Sequence, residues 1–129
     1  QLEFKQGFRR PPSEEEFVKI LNEKGIDNAK QIYQEVTKND PDYRLFNSDS
    51  LSTVAKKMLQ GGKTKEAIEV LQLNLEAHPD EWRVLDALGN AHMTAGDKTA
   101  AIKYFGKSLE INPDNTTAAE MIKKLQQSP

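Results

Sequence analysis

The sequence predicts an all-α solenoid of stacked helix–turn–helix units, about seven helices in all, the last a C-terminal capping helix. Three observations carry that expectation. The stretch "GGKTKEAIEVLQLNLEAHPD" is followed by "AGDKTAAIKYFGKSLEINPD", and Gly62, Ala67, Ile68, Leu75, Glu76, Pro79 and Asp80 recur 34 residues later as Gly96, Ala101, Ile102, Leu109, Glu110, Pro113 and Asp114. Inside each copy the apolar residues fall at helical spacing. A helical hairpin of that size cannot bury its own apolar stripe, so each unit must stack on a neighbour.

The chain opens on "QLEFKQGFRRPP", which has neither an initiator Met nor a hydrophobic signal core. Residues 1–11 therefore read as an arm or linker of an excised or processed piece. Leu2 and Phe4 alternate as in a short strand, and with Phe8 they are candidates to pack on the first unit, in the trough of a neighbouring molecule, or on a missing domain.

Residues 12–41 read as a divergent first unit. Ser13 and Glu16 form a capping box, and Glu14, Glu15 and Glu16 suit the positive end of a helix dipole. Phe17, Val18, Ile20 and Leu21 give the apolar face, and Gly25 ends the helix. Ala29, Tyr33, Val36 and Pro41 then repeat the spacing of Ala67, Leu71, Asn74 and Pro79, after a turn one residue shorter. Val18 stands where Ala55 and Gly89 stand later, so this pair should pack less closely. The linker "DPDYRLFNSDS" is longer than its counterpart. Tyr43, Leu45 and Phe46 should tuck under neighbouring helices, with Ser48 or Ser50 capping the next one.

The second unit, 48–81, and the third, 82–115, carry the period. Leu51, Val54, Ala55 and Met58 precede Gly62, as Leu85, Leu88, Gly89 and Met93 precede Gly96, where a left-handed cap is wanted. Asp97 caps the following helix, and Pro79 and Pro113 end theirs because proline lacks the next donor. Small residues at Ala55, Gly89, Ala67 and Ala101 let paired helices approach. In 116–127, Ala118, Met121, Ile122 and Leu125 form one stripe on an otherwise polar helix, as a cap requires.

The period, the series Leu85–Leu88–Gly89, and Gly96, Ala101, Phe105 and Pro113 resemble the tetratricopeptide repeat (TPR). The likeness covers 48–115, with a worn copy over 12–41, and implies a right-handed superhelix. His92 and Met58 depart from a frequent tyrosine. Ser108 and Asn74 depart from a frequent alanine, which should weaken packing locally. A narrower likeness lies in the order of the worn repeat, the Tyr43–Phe46 linker and "LDALGNAHMTAGD". It is similar to the C-terminal segment of many bacterial serine hydrolases, β-lactamase-like or α/β-hydrolase. That resemblance implies an upstream catalytic domain in a bacterial parent, its compartment open between cytoplasm and periplasm or secretion.

Composition narrows the chemistry. Eighteen Lys and Arg against 20 Asp and Glu leave no basic footprint for nucleic acid or a membrane surface. No apolar run reaches the ~20 residues of a membrane helix. Zero cysteines exclude disulfides and thiolate chemistry. His78, beside Pro79, suits a helix end, and His92 fills a tyrosine-like slot; neither has an acid four positions away to complete a metal face. No G-x-S-x-G or S-x-x-K occurs, and "GGKTKE" lacks the leading glycine and preceding strand of a phosphate loop. No cofactor, metal or catalytic residue is expected.

What remains is a binding surface. In stacked hairpins the first helices line a concave trough, here expected to show Glu15, Lys19 and Asn22, then Ser52, Lys56 and Leu59, then Asp86, Asn90 and Met93. Mixed charges with Leu59 and Met93 between them suit a peptide or protein segment with apolar and polar anchors, or else an ordinary solvated face. The lysine-type places of a chaperone-type carboxylate clamp hold Ser52 and Asp86, and only Asn90 conforms, so such a clamp is not expected. The predicted function is a protein–protein interaction module or scaffold. The alternative is a structural or docking domain of a serine hydrolase, with homo-oligomers left open.

Overall fold

The computed structural model describes residues 11–127. Among them are seven α-helices: α1 (Glu14–Lys24), α2 (Ile26–Asn39), α3 (Ser48–Gln60), α4 (Thr64–Ala77), α5 (Trp82–Thr94), α6 (Lys98–Ile111) and α7 (Thr116–Gln127). The architecture is the expected all-α solenoid. Both ends of α3 and α4 recur 34 residues later in α5 and α6. The expectations placed on Leu2, Phe4 and Phe8 lie outside the described residues.

Local chemistry sets the boundaries. The Ser13 hydroxyl accepts from the Glu16 amide at 3.2 Å while the Glu16 carboxylate accepts from the Ser13 amide at 3.0 Å, completing the capping box. Asp97 caps α6 by accepting from the Ala100 amide at 3.1 Å. At α3 the cap is neither Ser48 nor Ser50. Asn47 keeps an extended backbone and its side-chain oxygen accepts from the Ser50 amide at 2.8 Å, so the helix starts one residue earlier.

The two glycines before α4 differ. Gly62 has φ +80°, as Gly96 at the same repeat position has φ +83°, whereas Gly61 keeps an ordinary φ of −87° with only carbonyls at 3.6 Å from a built Cβ. Gly62→Ala should therefore cost about 1–2 kcal/mol, and Gly61→Ala should be neutral or stabilising by up to about 1 kcal/mol. Urea denaturation of the two variants checks the contrast.

One core runs from α1 to α5, including Phe17, Ile32, Val54, Leu71 and Leu88. The linker supplies its aromatic plug. Arg44–Phe46 forms a 3-10 turn, and Phe46 is buried edge-on against Phe17, Tyr33 and Tyr43 at centroid distances of 5.1, 5.0 and 5.4 Å. Burial there pushes the Tyr33 phenol above its ordinary pKa. The Tyr43 hydroxyl donates to the Pro12 carbonyl, tying the linker to the start of α1. A second cluster, Ala101, Phe105 and Ala118, lies under α7 with Met121, Ile122 and Leu125 packed on it.

Hairpins do not stack uniformly. α3 packs on α5 and α4 on α5, and the first hairpin meets the second chiefly through α2 against α4 and the 3-10 turn against α3, while α1 and α3 pack less closely. Val18 is half-buried, and α1 and α2 pack less closely than either later pair.

Candidate functional site

Two grooves flank α3. Between α3 and α5 lies a groove of about 540 Å³ lined by Ser52, Lys56, Leu59, Arg83, Ala87 and Asn90, among others, over Ala55 and Leu71. The spacing explains the convergence: residues four and then three apart stand on one face of a helix, in α3 and again in α5. Four of the expected residues, Ser52, Lys56, Leu59 and Asn90, meet there. Arg83 and Ala87 complete the wall, and the sequence reading passed over them although they share Asn90's face.

Between α1 and α3 lies a second groove of about 590 Å³. It takes Glu15, Lys19 and Asn22 from α1, with Val18, Val54 and Met58 as its apolar surface. Lys19 and Asn22 are thus separated from the other expected residues by α3.

The structure places Asp86 and Met93 outside both grooves. Met93 packs on the Ala101–Phe105–Ala118 cluster under α7. Asp86 accepts from Asn115 Nδ2 at 2.9 and 3.1 Å. In the third unit this face of α5 is taken up by the cap.

Asn115 belongs to a polar relay that alters the expectation for Asn74 and Ser108. Both are fully buried, yet neither is left unsatisfied. Asn74 Nδ2 donates to the Ser48 carbonyl at 2.9 Å and Ser52 Oγ at 3.1 Å, while His78 Nδ1 lies 3.0 Å from Asn74 Oδ1. One period later Ser108 Oγ donates to the Trp82 carbonyl at 3.2 Å, and Asn115 Nδ2 reaches Ser108 Oγ at 2.9 Å. Each departure from alanine thus pins a second helix to the start of a first helix. The expected local weakening is offset by these bonds, since a buried polar group is costly only when unpaired.

Of the histidines, His92 stacks on Tyr104 with centroids 5.3 Å apart and planes 12° from parallel, and its Nε2 is buried without a partner. Its Nδ1 is 4.0 Å from Asp97. Among the described residues no three His, Asp or Glu side chains are grouped to hold a metal ion, and no helix is long and apolar enough to cross a membrane.

Residues 82–115 match the family model of the tetratricopeptide repeat. The chain has the TPR fold. It is 35% identical over 69 residues to Superkiller complex protein 3 of Mus musculus and 32% identical over 69 residues to that of Homo sapiens. Each alignment covers 54% of this chain, which spans only 4% of the length of these relatives. Among solved structures, the first TPR of Spaghetti (RPAP3), bound to the HSP90 peptide SRMEEVD, superposes with a TM-score of 0.61 at 20% identity, covering 88% of this chain and 87% of that one. MamA superposes with a TM-score of 0.57 at 23% identity, over 84% of this chain and 61% of that one.

Proposed function

We propose that this TPR solenoid is a non-catalytic interaction module that holds an extended peptide or protein segment in the groove between α3 and α5. The observation that carries the reading is the meeting of Ser52, Lys56, Leu59 and Asn90 on facing helices. An extended segment brings a free N–H and C=O at each residue, and these need partners. The Asn90 carboxamide and the hydroxyls of Ser52 and Thr53 offer them, Leu59 offers an apolar anchor, and Lys56 and Arg83, against the single carboxylate of Asp49, favour an acidic side chain. A peptide bound to the neighbouring TPR structure supports a partner of this class. A chaperone-type clamp is outside the proposal, because Asp86 stands at a lysine-type place and its carboxylate is held by Asn115.

Peptides selected from a random display library on the immobilised chain test the proposal. Lys56→Ala with Asn90→Ala, both exposed positions, should weaken the selected peptides roughly tenfold or more, the loss of one to two good polar contacts. The thermal midpoint should not move. Undiminished capture would count against the groove. The second reading, a docking appendage of a bacterial serine hydrolase, rests on the sequence resemblance alone. A hydrolase domain upstream of Gln1 in the open reading frame would support it.

A further inference from the structure

Three helical threonines return their hydroxyl hydrogens to their own backbone. Thr37, Thr53 and Thr94 each donate to the carbonyl four residues earlier, at 2.8, 2.9 and 3.1 Å. Such back-bonding is a common fate of a hydroxyl inside a helix. Ser52 does otherwise. Its Oγ accepts from Asn74 Nδ2 at 3.1 Å, and the carbonyl four residues earlier, that of Ser48, accepts from the same nitrogen at 2.9 Å. Accepting leaves the hydroxyl its own hydrogen to donate. Among the described residues none takes it, and Ser52 lines the α3–α5 groove.

The orientation of the buried Asn74 amide is fixed chemically. The Ser48 carbonyl can only accept, so Nδ2 must face it. Oδ1 then faces His78 Nδ1, 3.0 Å away, and that ring nitrogen also lies 3.3 Å from the Asn74 carbonyl. Set between two oxygens, Nδ1 carries a hydrogen and donates. Flipping the amide would oppose donor to donor at His78 and acceptor to acceptor at Ser48, two losses at a fully buried residue.

We infer that Asn74, locked by His78, is a positioning residue that makes Ser52 a hydrogen-bond donor to a main-chain carbonyl of the groove's occupant. The inference rests on the groove reading above and gives it a chemical sense. Thr53, its hydrogen spent on the Asp49 carbonyl, meets the same occupant only as an acceptor, for a main-chain N–H. Neighbouring hydroxyls of opposite sense suit a peptide backbone, which carries one group of each kind per residue. Neither Asn74 nor His78 is in the groove lining, so the sense is set from the second helix of the hairpin.

Peptides selected on the wild-type chain, titrated by fluorescence anisotropy, test the relay. Ser52→Ala should weaken them about threefold to tenfold, the loss of one neutral hydrogen bond. Asn74→Ala should weaken them as much, because Ser52 then turns its hydrogen onto the Ser48 carbonyl as the threonines do. The double variant should bind no worse than either single one, since both remove the same contact. His78→Ala, at the half-buried end of the relay, should give part of the loss, and none when Ser52→Ala is already in place. His78→Asn should restore binding, because its amide keeps a donor at the δ position. Asn112 already fills this place in the next unit, with φ −126° and ψ 87° against −134° and 67° at His78. The His78 variants decide the matter if Asn74→Ala does not fold. Replacing each acidic residue of the peptide by alanine should leave the Ser52→Ala ratio unchanged, as a main-chain acceptor requires. Additive losses from Ser52→Ala and Asn74→Ala, a His78→Ala effect that persists without Ser52, or a ratio that vanishes with one peptide carboxylate would overturn the inference. Undiminished binding by Lys56→Ala with Asn90→Ala would instead sink the groove reading itself, and the relay with it.

Discussion

Phe105→Ala is expected to cost about 3–5 kcal/mol of unfolding free energy, the usual range for emptying an aromatic site in a packed core. Phe105 is 1% exposed and is the largest side chain of the cluster that holds α7 on the third hairpin. The ring also explains Gly89. A Cβ built there would lie 2.7–2.8 Å from three atoms at the tip of the Phe105 ring. The buried ring has nowhere to retreat, so Gly89→Ala should cost about 1–3 kcal/mol by overpacking. That exceeds or cancels the gain of about 1 kcal/mol from replacing glycine inside a helix. With Phe105→Ala already in place the clash is gone. Gly89→Ala should then stabilise by about 1 kcal/mol, through propensity and partial filling of the cavity. A four-corner cycle read by urea denaturation measures this reversal of sign. If Gly89→Ala destabilises equally in both backgrounds, the ring is not what keeps position 89 empty.

The same seam shows why some of the architecture could be read from the sequence and some could not. Helix ends were legible because they are written locally: Ser13 with Glu16, Gly62 and Gly96, Asp97, and the two prolines each act within a few residues. The burial of Phe46 was legible because an aromatic in a polar linker has few other places to go. The α3 cap was missed by one residue, since Asn47, Ser48 and Ser50 are all competent caps and only the chain path chooses between them.

Side chains that act across units were less legible. Asn74 and Ser108 look like departures from a small residue until their carbonyl partners, 26 residues away in each case, are in view. Asp86 reads as a trough residue by repeat position, yet the helix following the last unit brings Asn115 against it. Position on a helix face brings Ser52, Lys56, Leu59 and Asn90 together, while which faces remain open depends on tertiary packing.

Asn115→Asp should destabilise the capping helix strongly although it changes one atom. The side-chain oxygen that caps α7, accepting from the Ala118 amide at 3.2 Å, is retained. The donor that faces Asp86 at 2.9 and 3.1 Å becomes an acceptor carrying charge. Two carboxylates then meet at a buried position, where an uncompensated charge costs about 3–5 kcal/mol; because Asp86 is only half-buried, about 2–3 kcal/mol is expected near pH 7. The deficit should depend on pH with a definite sign. Paired carboxylates hold a proton to higher pH than an aspartate in the unfolded chain, whose pKa is about 3.9. Between those two pKa values the native state binds more protons, so stability falls as pH rises through the window and part of the loss returns in acid. Adding Asp86→Asn restores one donor opposite one acceptor with the roles exchanged and removes the repulsion between carboxylates, and should recover part of the stability and reduce the pH dependence, the bond to Ser108 staying lost. Hydrogen exchange along Thr116–Gln127, followed with urea denaturation at pH 4 and pH 7, reads both effects. Failure of Asp86→Asn to rescue would show that the loss comes from the buried charge at 115 or from its broken bond to Ser108, and not from the contact with Asp86.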